Sequence, residues 1–560
     1  MKNFSLIKNS PPPPLLSNYG SVDSKFYRHL LFVFVFFYSL GIIAYSRYSI
    51  NLDDLLFFLK IYNKDLILNG YTPKMGRFYP LAFIDLNALM LLSSNAYLYF
   101  ALNVILIFIL YFVFLSFLDL LLGEGRNLIK FICVLLCFLN PAFSLVMSGI
   151  CYPERLLSVF LCFFIFFSYK FFESNNLRYA FFGLIAANLS LYLKESAICI
   201  IGGFAFSYLV INFVLKNKLS KRALFYNLAL LFSVGMFLSI YLFFIKPQIE
   251  SIYAIGRDTS LISNILYISK GLFRFILNDS LILLLIPFFV FLTFFYLLKK
   301  KTFLNPFLDS LNLAAFLYLI LFLKLQLFTI YYLMPMYFVC MGGIAYFYIH
   351  KSLNLRGLSF IILFLLFSNT IPQSLSLLSN IKSQAIIFDK TLLFMRDYIL
   401  ASPSKVNIYF EKNGRGGEYQ THYCAFFIQY LKNIYNVPSY KFDVLVKDED
   451  TYKSFGASNW YLDESSAFSI YKDSNISTPK SKDIIIVNNF SNLRYFDLNL
   501  FSQYELLYKT NYFGLPFINL ISLAKFIFSN FADKNTLFKN IIGNENIFKL
   551  PINTYIFRVK

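Results

Sequence analysis

Apolar stretches of about 20 residues recur along the first two thirds of the chain, and they constrain its fold more than any other feature. About 20 apolar residues in a helix span the hydrocarbon core of a bilayer. Of the 560 residues, 58% are hydrophobic and 20% are aromatic. Together with the positions of the basic loops, the stretches predict eleven transmembrane helices, at residues 29–46, 97–122, 129–147, 154–172, 179–194, 195–215, 224–245, 280–298, 310–326, 328–349 and 357–376.

The net charge of +20 explains the membrane topology better than it explains a nucleic-acid partner. The basic residues cluster in short loops at alternate ends of the apolar stretches, which is typical of cytoplasmic loops. These residues are Lys2, Lys8, Lys25, Arg28, Arg126, Lys130, Lys170, Arg178, Lys216, Lys218, Lys221, Arg222, Lys299, Lys300, Lys301, Lys351 and Arg356. The N-terminus is therefore predicted to be cytoplasmic, and no nucleic-acid partner is expected.

An odd number of spans places everything after residue 376 on the outer side of the membrane. We predict a disordered cytoplasmic tail at 1–28, a membrane domain at 29–376 and an external domain at 377–560. Strands are predicted at 405–410, 441–446, 484–488 and 553–559, with a helix near 423–434, so the fold class is all-α polytopic with a small C-terminal α/β domain. The stretch 513–531 is apolar enough to lie on a membrane.

Cysteine and histidine usage limits the possible chemistry. Only Cys424 of the seven cysteines falls in the predicted external domain, so no disulfide framework is expected there. Three histidines, His29, His350 and His422, argue against a histidine-based metal site or a Ser-His-Asp triad.

Two adjacent carboxylates, Asp53 and Asp54, follow the first apolar stretch directly. The leucines around them, at positions 52, 55, 56 and 59, repeat with a helical period. This pattern predicts an interfacial helix whose apolar stripe lies in lipid, with both carboxylates at the lipid–water boundary. A second short helix is predicted at 81–95.

Other polar residues fall at the same, outer ends of the predicted spans. Glu154 opens the fourth span, Lys194 and Glu195 form a tight turn, and Tyr331 and Tyr332 open the tenth. A helix running unbroken through Lys194 and Glu195 would bury two charges at high cost, so a break is predicted there. Each residue also has a structural explanation, as a helix cap, a local ion pair or an aromatic anchor.

This combination suits transfer of a group from a lipid-linked phosphate. A positioned carboxylate accepts the acceptor's proton, and cations stabilise the leaving phosphate. The candidate bases are Asp53 and Asp54, and the candidate phosphate ligands are Arg77, Arg155, Lys194 and Arg257.

The same residues carry a resemblance to a known group. The acidic pair in the first outer loop, the Lys194-Glu195 turn and the Tyr331-Tyr332 span start resemble the glycosyltransferase C (GT-C) superfamily. Over about residues 29–200, the pair followed by Asn69-Gly70-Tyr71, Gly76-Arg77 and Pro80 is similar to O-antigen-modifying glucosyltransferases of the GtrII type. The resemblance implies polyprenyl-phosphate sugar donors and a base at Asp53 or Asp54.

We therefore expect an inverting membrane glycosyltransferase on the outer face of a bacterial inner membrane, acting on a glycan or lipid-linked glycan. An oligosaccharide polymerase or ligase, or a lipid-linked oligosaccharide flippase, is the alternative. The departure from a simple Asp-x-Asp pattern leaves metal dependence open, and we expect no metal or other cofactor.

Overall fold

The chain is a multi-pass helical membrane protein with a C-terminal α/β domain, which confirms the predicted fold class. In the computed structural model, the described residues are 24–44, 46, 52–123, 126–216, 219–250, 261–300, 305–325, 327–350, 353–411, 426–445, 479–487, 498–531 and 545–560. Residues 1–23 of the tail predicted at 1–28 lie outside them, and residues 24–28 belong to the first helix.

The helices follow the apolar stretches of the sequence. They are α1 (Ser24–Ile43), α2 (Leu52–Asn63), α3 (Ile84–Met90), α4 (Ala96–Leu122), α5 (Asn127–Phe138), α6 (Pro141–Met147), α7 (Glu154–Ser174), α8 (Leu177–Leu193), α9 (Ala197–Val214), α10 (Lys221–Ile240), α11 (Leu261–Lys300), α12 (Pro306–Lys324), α13 (Met334–His350), α14 (Leu353–Ala401) and α15 (Leu520–Phe531). Short antiparallel strands β1 (Tyr71–Thr72) and β2 (Arg77–Phe78) lie between α2 and α3.

Every one of the eleven predicted spans corresponds to an apolar helical segment. Eight helices among the described residues are long and apolar enough to cross a membrane, and the bent pair α5–α6 makes a ninth. The remaining two predictions fall on α8 (Leu177–Leu193) and on the apolar stretch Leu285–Leu298 within α11. The predicted count of eleven exceeds the eight or nine spans by these two segments.

The α5–α6 pair bends by 56° at Asn140 and Pro141. The Asn140 side chain donates to the carbonyls of Leu136 and Cys137 and accepts from the Phe143 amide at 2.8 Å. It therefore ends one helix and caps the next, while Pro141 suits the first position of α6 because it has no N–H to leave unpaired. The bend directs the end of α6 towards the N-terminus of α2.

The predicted break at Lys194 and Glu195 is present. Helix α8 ends at Leu193 and α9 begins at Ala197, so both charged residues lie in the connecting turn.

The prediction that α2 turns an apolar stripe to lipid is wrong. Leu55 and Leu59 are buried in the protein, and so are Phe57 and Phe58 between them. Protein interior and lipid are both apolar, so the helical repeat alone did not distinguish them. The short helix predicted at 81–95 is α3.

The C-terminal domain holds a five-stranded mixed sheet. Its strands are β3 (Val406–Glu411), β4 (Phe442–Leu445), β5 (Ile484–Val487), β6 (Glu505–Lys509) and β7 (Tyr555–Arg558), in the order β4-β3-β5-β7-β6. β3 pairs in parallel with β4 and β5, and β7 pairs antiparallel with β5 and β6. Four of these strands were predicted, whereas β6 was not. Helix α14 runs from the membrane domain to Ala401, and the division at residues 376 and 377 stays a prediction.

Candidate functional site

The two adjacent carboxylates occupy different environments at the start of α2. Asp53 is exposed to solvent, whereas the Asp54 side chain is buried. Both lie in the first turn of the helix, where the helix dipole favours negative charge. The structure therefore separates two residues that the sequence left equivalent.

Asp54 binds the loop between α6 and α7. Its Oδ1 accepts hydrogen bonds from the backbone amides of Ile150 and Cys151, each at 2.7 Å. Burial raises the pKa of Asp54, and these two amides act in the opposite direction by stabilising the carboxylate. Asp54 thus joins α2 to the loop at the end of the bent pair.

The loop can approach Asp54 because residue 149 is glycine. A Cβ atom at Gly149 would lie 2.6 Å from Asp54 Oδ2 and 2.8 Å from the Tyr152 ring. The loop carbonyls are fixed from the other side by Asn103 of α4, whose amide donates to Met147 at 2.9 Å and to Gly149 at 2.8 Å. Backbone and side chains therefore define the position of this loop closely.

Arg155 continues this buried network. Its guanidinium donates to Asn103 Oδ1 at 2.6 Å, to Asp85 Oδ2 at 3.1 Å and, through Nε, to the Tyr152 carbonyl at 3.2 Å. The Arg155 side chain is 1% exposed, so these contacts within the protein occupy all three of its nitrogen atoms. Asp85, which was not predicted, is the only acidic residue of α3, and a lone acid in a mostly apolar helix was the available signal.

Lys194 and Glu154 form the second charged pair of the site. Lys194 Nζ lies 3.4 Å from Glu154 Oε1, and the Glu154 side chain is fully buried. The ammonium also lies 4.9 Å from the Tyr79 ring centroid and 5.4 Å from that of Tyr332. Burial lowers the pKa of Lys194, but the charges of its neighbours Glu154, Tyr79, Tyr332 and Glu195 together outweigh this effect, and the pKa stands well above the ordinary value.

An aromatic wall borders this cation. The Tyr331 ring centroid lies 4.9 Å from that of Tyr152 and 4.2 Å from that of Tyr332. Tyr332 packs in turn on Phe322 at 4.3 Å. These contacts hold the short turn at Ile330–Leu333, just before α13, beside Tyr152 and Lys194.

Asp53 faces the cations from α2. Its pKa is raised because the surrounding protein removes solvent from the carboxylate, and the charges of Arg77 and Lys194 act in the opposite direction. The Asp53 carboxylate therefore has a solvent-exposed surface and also has protein packed closely around it, and we call the space beside it the cleft. Glu195 lies at the same edge, where burial raises its pKa and the charges of Lys194 and Arg77 lower it.

Arg77 is positioned by a tightly turned loop. Gly76 has a positive φ of 72°, which favours glycine, and its carbonyl accepts a hydrogen bond from the Tyr241 hydroxyl at 3.2 Å. At Gly70 a Cβ atom would lie 2.5 Å from the Tyr79 carbonyl oxygen. Both glycines therefore permit the fold that carries Arg77 to the edge of the cleft.

A further cation was missed by the sequence reasoning. Lys382 of α14 is buried, donates to the Ile42 carbonyl at the end of α1 and lies 4.3 Å from the Phe100 ring centroid. The negative charge of Asp54 acts electrostatically on this ammonium group. The sequence analysis assigned residues after 376 to an external domain and did not single out Lys382.

The structure brings together nine of the ten residues predicted for the site. Those gathered at one end of the bundle are Asp53, Asp54, Arg77, Glu154, Arg155, Lys194, Glu195, Tyr331 and Tyr332. Arg257 lies outside the described residues. Within the described part of the chain, no three histidine, cysteine, aspartate or glutamate residues are grouped to hold a metal ion.

Comparison with known proteins gives a distant likeness. No family model matches the chain, and no curated protein matches it. Among solved structures, it is similar to the Archaeoglobus fulgidus oligosaccharyltransferase tethered to an acceptor peptide containing the NVT sequon via a disulfide bond. The TM-score is 0.39 and the identity 10%, over 84% of this chain and 70% of that chain. A likeness at this level assigns no family, so the geometry of the site carries the functional argument.

Proposed function

We propose that the chain is a membrane glycosyltransferase that moves a sugar from a polyprenyl-phosphate donor to a glycan or lipid-linked glycan, with Asp53 as the general base. The observation that carries the proposal is an exposed carboxylate in a cleft beside two cations, Arg77 and Lys194, at one end of a membrane bundle. A base and a phosphate site are the two elements that this reaction needs.

The proposed reaction is a single inverting displacement. The acceptor hydroxyl oxygen bonds to C1 of the sugar while its proton passes to Asp53. The bond from C1 to the phosphate oxygen breaks, and its electron pair leaves with the polyprenyl phosphate. Arg77 and Lys194 stabilise that phosphate through charge-assisted hydrogen bonds.

The other residues have positioning roles in this proposal. Asp54 is engaged with backbone amides, which favours Asp53 as the base. Arg155 is engaged with Asp85 and Asn103, so it holds α3, α4 and α7 in register and does not serve as a phosphate ligand. The partly exposed Tyr331 ring offers a surface on which a sugar face can pack.

The cellular setting is part of the proposal. The basic loops favour an N-terminus in the cytoplasm, which puts the cleft and the C-terminal domain on the outer face of a bacterial inner membrane. Membership of the GT-C superfamily, with GtrII-type enzymes as the nearest subgroup, rests on the sequence motifs. The reaction as proposed requires no metal or cofactor.

Mass spectrometry of surface glycans and lipid-linked glycans tests the proposal. Cells would carry wild type, Asp53→Asn, Asp54→Asn or no copy, with protein levels matched by immunoblot. We expect the deletion and Asp53→Asn to lose one sugar-sized mass, since a general base contributes about 10²- to 10⁴-fold. We expect Asp54→Asn to retain measurable transfer.

Other results would point elsewhere. If Asp53→Asn keeps the full mass and Asp54→Asn loses it, the base is wrongly assigned. A ladder of long polymers lost in the deletion indicates a polymerase or ligase. If both variants keep unchanged glycans and only the deletion has altered glycans, the protein acts in transport of the lipid-linked glycan and not in sugar transfer.

A further inference from the structure

The C-terminal domain carries a set of neighbouring apolar side chains that are exposed among the described residues. They lie in residues 513–518 and on one face of α15, and we call this surface the apolar ledge. The exposed fractions are Phe513 94%, Leu515 52%, Ile518 37%, Leu523 41%, Phe526 47%, Ile527 51% and Phe528 60%. Single exposed apolar residues are ordinary, but a contiguous patch of this kind marks a contact surface.

The ledge is fixed to α14 just beyond the lipid-facing part of that helix. The carbonyl of Phe513 accepts from the Ser383 hydroxyl at 2.9 Å, and that of Leu515 accepts from the Ser376 hydroxyl at 2.9 Å. The Leu515 amide donates to Ser379 Oγ at 3.0 Å. Three hydrogen bonds along one face of α14 therefore hold residues 513–515 against it.

The rise of α14 gives the depth of this attachment. Its exposed apolar side chains, such as Phe360, Phe364 and Phe367, continue as far as Leu375. At about 1.5 Å per residue, the helix from Leu353 to Leu375 is about 33 Å long, which matches the roughly 30 Å hydrocarbon core. Residues 376–383 then rise through about the next 12 Å, which includes the headgroup region of about 5–8 Å on that side.

The candidate site lies at this same level. Lys382, within the attachment segment, donates to the Ile42 carbonyl at the end of α1. Helix α2 and its carboxylates follow α1 directly in the sequence. The ledge thus borders the leaflet on which the cleft opens.

The one charged residue of α15 is ion-paired, and a lysine from the C-terminal segment that follows packs on an aromatic ring. Lys525 pairs with Glu545, and the Lys549 ammonium lies 4.5 Å from the centroid of the Phe517 ring. Apolar residues on one face, with ion-paired or ring-packed lysines beside them, are typical of a helix that lies in a membrane interface.

We propose that the apolar ledge is a membrane-docking surface that inserts into the lipid interface of the leaflet beside the candidate site. The lipid-facing surface of α14 continues into the ledge, so its partner is the bilayer. Docking there fixes the C-terminal domain to the membrane at a second point besides α14. It thereby holds the domain at a constant height next to the cleft.

The single tryptophan of the chain allows a direct test. In a Trp460→Phe background, one tryptophan is introduced at a time as Phe513→Trp, Ile527→Trp, Phe364→Trp or Tyr440→Trp, and each full-length protein is reconstituted in phosphatidylcholine vesicles. The acyl chains carry bromines either near the headgroup or near the bilayer centre. Phe364 serves as the lipid-facing control, and Tyr440, which is 73% exposed on the C-terminal domain, serves as the water-facing control.

We expect the two ledge positions to be quenched to an extent comparable with Phe364→Trp, and more strongly by the shallow bromines than by the deep ones. Tyr440→Trp should be quenched by neither. Quenching at Phe513→Trp and Ile527→Trp no stronger than at Tyr440→Trp would overturn the proposal. Stronger quenching by the deep bromines would overturn it as well, because α15 would then cross the bilayer.

Discussion

The close approach of Gly149 to Asp54 makes Gly149→Ala the sharpest perturbation of the site. The added Cβ atom would lie 2.6 Å from Asp54 Oδ2, and ordinary contact begins near 3.4 Å, so the carboxylate must move by about 0.8 Å. It cannot move freely, because Oδ1 is bonded to two backbone amides at 2.7 Å. Moving directly away would stretch those bonds to about 3.5 Å, beyond the usual range of about 2.7–3.2 Å.

The expected cost follows from these distances. Overpacking of this kind lowers the free energy of unfolding of a protein by about 1–3 kcal/mol. A displacement of this size at the start of α2 also moves Asp53, and a misplacement of about 1 Å lowers turnover by about 10²-fold. We therefore expect Gly149→Ala to lower both the unfolding midpoint and the amount of transferred sugar.

A matched glycine gives the control. Gly235 lies within α10, and a Cβ atom there would meet nothing within 4 Å. Gly235→Ala should therefore stabilise the protein by about 0.5–1 kcal/mol, through the higher helix propensity of alanine, and leave transfer unchanged.

Both variants can be followed by thermal unfolding in detergent with a thiol-reactive fluorophore. The buried thiols of Cys133, Cys137, Cys162 and Cys340 become reactive only when the bundle opens. Transfer is measured in parallel from the glycan mass. Wild-type stability and wild-type transfer in Gly149→Ala would refute the argument that Asp54 and the loop must approach so closely.

Three further outcomes are expected. Arg155→Met should lower the free energy of unfolding by about 3–5 kcal/mol, because it leaves a buried carboxylate unpaired. Substitution of an exposed arginine, Arg178→Met, should change that free energy by no more than about 0.5 kcal/mol. Equal unfolding midpoints for the two variants would contradict the buried network. Arg77→Gln should move the acidic limb of the pH–rate profile to higher pH, because Arg77 lowers the pKa of Asp53 and the base works only when it is ionised. An unchanged acidic limb would show that the charge of Arg77 does not act on the catalytic base. Tyr430→Phe, which removes a 3.0 Å hydrogen bond from the C-terminal domain to the backbone of α2, should cost about 1 kcal/mol, and an unchanged midpoint would show that this bond contributes nothing.

The sequence predicted the membrane fold well because apolar length and basic loops report directly on spans. It also located the charged turn at Lys194 and Glu195, because two charges within a long apolar stretch are too costly to leave in lipid. It overestimated the lipid contact of α2, whose leucines pack on protein, since a helical repeat does not distinguish lipid from a protein neighbour.

The sequence predicted most residues of the site but did not predict the different role of each residue. Asp53 and Asp54 are adjacent, and only the backbone amides contributed by the α6–α7 loop, about 97 residues away, distinguish them. Asp85 and Lys382 reach the network from α3 and α14 through long-range packing, and no local pattern predicts which partners they meet.

The central claim is that Asp53 accepts a proton during sugar transfer. The most direct measurement is transfer by the purified full-length protein in proteoliposomes, with radiolabelled polyprenyl-phosphate hexoses as donors and lipid-linked glycans from deletion cells as acceptors. We expect transfer by wild type, measurable transfer by Asp54→Asn, and a loss of at least about 10²-fold in Asp53→Asn while donor binding is retained. Transfer by Asp53→Asn at the wild-type rate would contradict it.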